Sequence, residues 1–108
     1  MNQELTMNKY QVLAKTYQVP TAPPEERVFG ILEEAGEVAG VFKRMLRGDY
    51  GPDIAAAKLM KELGDILWYV ATVAADNDWT LEDVANTNLE KLASRKERNV
   101  ILGSGDDR

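Results

Sequence analysis

The sequence predicts an all-α fold, a four-helix antiparallel bundle filling one domain over residues 1–108, and three observations carry that expectation. Proline and glycine divide the chain into four stretches. Two of these bring an apolar residue back every three or four positions, the period of a helix with a buried face. No stretch alternates apolar and polar residues for the useful length of a strand.

The first helix is expected from about residue 4 to 18, carrying Leu5, Val12, Leu13 and Tyr17, and stops before Val19-Pro20-Thr21-Ala22-Pro23-Pro24. Those prolines also open the second helix, about 24 to 47, because proline is tolerated in a first turn and Glu25 and Glu26 complement the positive end of the helix dipole. Val28, Ile31, Leu32, Ala35, Val38, Ala39, Phe42, Met45 and Leu46 form its stripe, and Arg47-Gly48 ends it. After a short loop, a third helix from about 52 to 76 repeats the stripe with Leu59, Leu63, Ile66, Leu67, Val70, Val73 and Ala74. So short a loop joins antiparallel neighbours. Thr80 followed by Asp83 resembles a capping box, with Asp in place of Glu, and opens a fourth helix to about residue 97. The tail, residues 103–108, lacks apolar periodicity and is expected to be a loop or a mobile end.

A chain of 108 residues, 44% of them hydrophobic, can build one core but leaves much apolar surface exposed when alone, so a homodimer or homotetramer is expected. The net charge of -5 and the lack of a basic stripe argue against duplex nucleic acid as a partner. Without cysteine there are no disulfides, thiolate metal sites or cysteine nucleophiles, which suits a cytoplasmic protein. Without histidine there is no Ser-His-Asp catalysis, no histidine base and no mixed histidine and carboxylate site for zinc or non-haem iron. Any metal must then be held by oxygen. The N-terminus has no signal-peptide pattern, and no apolar run approaches the roughly 20 residues of a membrane span, so membrane partners are not expected.

The chemistry concentrates in two motifs. The second helix carries Glu33-Glu34-Ala35-Gly36-Glu37 and the third carries Glu62-Leu63-Gly64-Asp65. Residues three apart share a helix face, so Glu34 with Glu37 and Glu62 with Asp65 each form a local pair bordering an apolar stripe. In an antiparallel hairpin the two pairs can converge, and four carboxylates that converge repel by several kcal/mol, which calls for cations. Mg2+ is the plainest remedy, because it takes oxygen ligands and bridges to substrate phosphates. The competing reading is a solvated face in which these carboxylates mix with Lys43, Arg44, Lys58 and Lys61. A di-iron bundle would need Glu-x-x-His motifs and has no histidine to build them.

Glu33-Glu34-x-x-Glu37 followed by Glu62-x-x-Asp65 resembles the signature of the all-α nucleoside triphosphate pyrophosphohydrolases, and Glu-Glu-Ala-Gly-Glu-Val-Ala is most similar to the MazG-like branch. Tyr10-Gln11 with Thr16, Asn88-x-x-Lys91-Leu92 with Arg95 or Lys96, and the closing Gly-Ser-Gly-Asp-Asp-Arg extend the resemblance over nearly the whole chain. The resemblance implies that Glu34, Glu37, Glu62 and Asp65 bind Mg2+, with Mn2+ as a substitute. It also implies Glu33 as the base that activates water, and a nucleoside triphosphate, a deoxynucleotide in particular, as the substrate hydrolysed to monophosphate and pyrophosphate. Asn88 and Lys91, with Arg95 beside them, are the expected contacts to base, sugar or phosphate. Trp68 and Tyr69 follow the third helix's motif, and one of them, Trp68 foremost, is a candidate for stacking on a base, although aromatics at helical spacing more often fill a core. Two other classes stay open at this level: a nucleotide-sensing module without turnover, and a helical interaction protein.

Overall fold

A computed structural model describes residues 4–108 and is all-helical among them. Helix α1 spans Met7–Lys15, α2 Pro24–Leu46, α3 Pro52–Asp76 and α4 Leu81–Glu97. The first helix is shorter than expected at both ends. Thr6 caps it by accepting the Lys9 amide at 3.1 Å, which leaves Leu5 outside. Its last turn tightens, with the amides of Thr16, Tyr17 and Gln18 donating to carbonyls three residues back.

The other boundaries follow local chemistry. Pro24 and Pro52 occupy first turns. Gly48, at φ 90°, lets the Asp49 amide donate back to the Arg44 carbonyl at 2.9 Å and close α2 in a left-handed cap. The capping box at Thr80 is present in full, Asp83 accepting the Thr80 amide while Thr80 accepts the Asp83 amide. The tail is a loop, and a tethered one rather than a free end. Arg108 donates to the carbonyls of Val100, Ile101 and Gly105, and Asp106 receives Lys91 at 3.1 Å and Arg95 at 3.3 Å.

Helix α3 is the hub: α2 packs along one side of it, and α1 and α4 lie on another. Among the described residues α2 packs against α3 alone. Buried Gln11 joins the other three helices, donating through Nε2 to the carbonyls of Ala71 (3.0 Å) and Trp79 (2.9 Å) and accepting the Leu81 amide at 3.1 Å. A two-pronged ion pair, Arg27 to Asp76 at 2.7 and 2.9 Å, fastens the start of α2 to the end of α3.

The apolar residues of α2 and α3 divide into two stripes. One stripe faces inward: Arg27, Ile31, Glu34, Val38, Val41 and Met45 of α2 are buried or half-buried, as are Ala55, Leu59, Glu62, Ile66, Tyr69 and Val73 of α3. The second, one residue further along each helix, faces out. Leu32 (73%), Leu46 (83%) and Met60 (74%) stand mostly exposed, with Val28, Phe42, Leu63 and Leu67 partly so. The radius of gyration is 16.9 Å, where a compact chain of this length has about 13 Å.

Candidate active site

Glu34 and Glu62 stand within the inward stripes, at positions where the helical period calls for an apolar side chain. Ile31 and Val38 flank Glu34 along α2, and Leu59 and Ile66 flank Glu62 along α3. Asp65, one turn past Glu62, completes the group. Glu34, Glu62 and Asp65 each offer a carboxylate oxygen, and these oxygens all lie within 4.8 Å of one another.

The electrostatics follow from that placement. Burial, then a hydrogen bond with Glu62, then the charges of Asp65, Glu62 and Glu33 push the Glu34 carboxyl up from 4.5 to about 7. Glu62 Oε2 is buried and has no hydrogen-bond partner. A buried carboxylate oxygen left unpaired costs free energy, and a hard cation would supply what it lacks. The donor set, all oxygen, fits a magnesium-like ion rather than zinc or iron. Burial and the charges of Glu34, Glu33, Glu26 and Asp65 also raise the Tyr69 hydroxyl above its ordinary range.

The remaining expected residues are distributed around this group. Glu37 is exposed and lines, with Glu62, a cleft of about 290 Å³ between α2 and α3. Glu33 lies outside the cluster, in a smaller cleft with Glu26, Phe29, Gly30 and Tyr69. Gly30 is required there, because a Cβ would stand inside the Tyr69 ring. Trp68 points the other way: its indole N–H donates to the Ala14 carbonyl at 3.0 Å, and its ring packs against the core of Ala14, Ala71 and Leu81. Asn88 is exposed on α4, while Lys91 and the buried Arg95 hold Asp106. The cations that do border the carboxylates are Arg44, Lys58 and Lys61. Sequence reasoning gives these three a part only in the competing reading of a solvated face; the signal for a place beside the site is their register, Arg44 seven residues after Glu37 and Lys58 four before Glu62.

Residues 23–100, a span holding the helix pair and all five carboxylates of the two motifs, match the family model of the MazG nucleotide pyrophosphohydrolase domain. The chain belongs to the MazG family. Gene 37 protein of Mycobacterium phage L5 is 47% identical to this MazG-family chain over 81 residues, covering 73% of the chain and 71% of the phage protein. No solved structure matches. Among the described residues no helix is long and apolar enough to cross a membrane. Membership of this family implies a nucleotide pyrophosphohydrolase, and an acidic cluster lies on α2 and α3 within the matched residues.

Proposed function

We propose that this MazG-family chain hydrolyses nucleoside triphosphates, deoxynucleotides foremost, to the monophosphate and pyrophosphate in a Mg2+-dependent reaction. The observation that carries the reading is the trio of Glu34, Glu62 and Asp65, whose oxygens lie within 4.8 Å of one another, with Glu34 and Glu62 half-buried between the apolar residues of their stripes and Asp65 at the exposed edge. Glu34, Glu62 and Asp65 would hold the cation, with Glu37 joining from the cleft edge. Bound magnesium would neutralise the triphosphate and stabilise charge on the leaving pyrophosphate.

The chain's own residues supply the rest. Glu33 stands outside the ligand cluster, turned about 100° from Glu34 around the helix, and is free to take a proton from water as that water attacks phosphorus. The bond between the α and β phosphates breaks, and the proton passes to Glu33. Phe29 and Tyr69, which line the Glu33 cleft, offer an aromatic wall toward the nucleoside. Lys91 and Arg95 act from α4 only if Asp106 yields its hold, Asn88 stands exposed beside them, and we assign the Trp68 ring to packing of α1 on α3. We further propose a homodimer or homotetramer, with the exposed stripes of α2 and α3 as its contact, working in the cytoplasm where nucleoside triphosphates are kept.

The test is a panel of common and modified nucleotides with and without Mg2+, reading monophosphate and pyrophosphate. Release of both, abolished by chelator, is the expected result. Binding without release would make the chain a sensor, and no binding an interaction module. Glu33→Gln should keep magnesium and nucleotide binding by calorimetry while turnover falls roughly a hundredfold or more. Near-normal turnover in that variant would remove Glu33 from the role of base.

A further inference from the structure

We propose that the two ends of α4 form a second contact between copies of this chain, in which the C-terminal loop of one copy seats Leu102 in an apolar hollow beside Trp79 of another. The inference rests on the pairing of copies through α2 and α3 proposed above, and it makes the assembly a tetramer, two such pairs joined through α4. The socket lies at the start of α4, where Trp79, Asp83, Val84 and Thr87 line a hollow of about 280 Å³. Small-molecule pockets begin at about 300 Å³ and carry free polar groups that orient a ligand. Here the charged group in the wall, Asp83, already accepts the Thr80 amide at 3.0 Å. An apolar side chain suits the hollow better than a metabolite.

The knob lies at the other end of the helix. Asn99, at φ 60°, turns the chain out of α4, and the Val100 amide donates back to the Arg95 carbonyl at 2.8 Å. Arg108 then donates to the carbonyls of Val100 (3.1 Å), Ile101 (2.7 Å) and Gly105 (2.6 Å), which closes residues 100–108 into a held loop. On that loop Leu102 is 92% exposed, more than any other large apolar residue among those described. A backbone fixed by its own hydrogen bonds has already met the entropy cost of ordering, so a leucine shown to water on it is pre-organised for a partner.

That partner is a second copy. Val84, Thr87, Lys91 and Arg95 recur every three or four positions and share one face of α4. The hollow and the loop, which Asp106 anchors to Lys91 and Arg95, therefore lie along the same face. A helix of 17 residues sets its ends about 25 Å apart, so the knob of one copy does not reach its own socket. Two copies meeting with α4 antiparallel place each knob on the other's socket, and the contact closes around a two-fold axis. Charge selects that orientation: Glu82 and Asp83 stand at the start of α4, and Lys96, Arg98 and Arg108 at its end, so antiparallel helices set acid against base and parallel helices set like against like. A single chain makes the contact once, whereas a pair formed through α2 and α3 makes it twice, so the small knob holds pairs and not single chains.

Size-exclusion chromatography with light scattering, on the full chain at micromolar concentration, is the test. Wild-type protein should run as four chains of 12.0 kDa each. Leu102→Glu, on the exposed loop, and Thr87→Arg, which puts a cation in the socket, should each leave two-chain particles with helix content unchanged by circular dichroism. The double variant sets opposite charges against each other across the axis and should regain the four-chain particle. Leu89→Glu, exposed on α4 but turned about 140° from Val84, should stay at four chains. Two-chain particles in the wild type, four-chain particles in either single variant, a double variant no larger than the singles, or dissociation by Leu89→Glu would each overturn the α4 contact and leave the pairing through α2 and α3 standing. A wild type that runs as single chains removes that pairing, and the α4 contact with it.

Discussion

Glu34 is the residue on which the proposed chemistry and the stability of the chain pull in opposite directions. In the metal-free protein its carboxyl is raised to about 7 by burial, by Glu62 and by the surrounding charges. The folded state therefore keeps the proton over a range in which the unfolded chain has lost it. Stability from this group is fully present below about 4.5 and is lost as pH rises toward 7, so the melting temperature of the metal-free protein should fall across that window. A divalent cation needs the ionised form. The rise in melting temperature on adding Mg2+ should accordingly grow with pH over the same window and level off above it. Differential scanning fluorimetry at a series of pH values, with and without the ion, reads both effects. A magnesium-induced shift that is the same at the two ends of the window would disconnect Glu34 from the cation.

At the scale of elements, Gln11 does what an apolar residue could not, since one amide side chain serves two carbonyls and one amide N–H from the segments that follow α1. Gln11→Leu would fill similar space and leave the Leu81 amide without its partner, at a cost of about 2 kcal/mol in urea unfolding. Magnesium binding on α2 and α3 should hold in that variant, because α2 meets α3 alone. A fall in metal affinity as large as the fall in stability would show that α1 supports the site after all. The boundaries of α2, α3 and α4 were legible because Pro24, Pro52, Gly48 and the Thr80–Asp83 box each act through local backbone chemistry. The ends of α1 were not, since Leu5 and Tyr17 satisfy the helical period while standing mostly exposed. The motif carboxylates were legible as pairs bordering a stripe. That Glu34 and Glu62 stand inside the inward stripe was not, because apolar periodicity counts positions and does not say which face meets a partner. The cationic cleft needs the register between two helices, and spacing along one helix does not contain it.

For the whole molecule, the exposed second stripe sets the problem. A compact protein of 12.0 kDa has roughly 6,000 Å² of accessible surface, whereas this chain has 8,294 Å². The excess of roughly 2,300 Å² per copy is on the scale of an obligate interface, and Leu32, Leu46 and Met60 are among the large apolar side chains left exposed. Leu32→Glu combined with Met60→Glu should convert the assembly to single chains by light scattering and lower the melting temperature, since four charges would meet in each two-fold contact. Wild-type protein that scatters as a 12.0 kDa particle at micromolar concentration would refute the assembly itself.

The α2–α3 connection bears on the order of events in folding. Only residues 47–51 separate the two helices that carry every carboxylate of the cluster, so closing the hairpin is a local search. Loops of this size close in well under a microsecond and helices grow within about a microsecond, whereas association of copies is second order and slows on dilution. Glu34, Glu62 and Asp65 thus meet at a rate that does not depend on how much protein is present. In the proposed assembly, dilution would delay the covering of Leu32 and Met60 and leave the meeting of the carboxylates untouched.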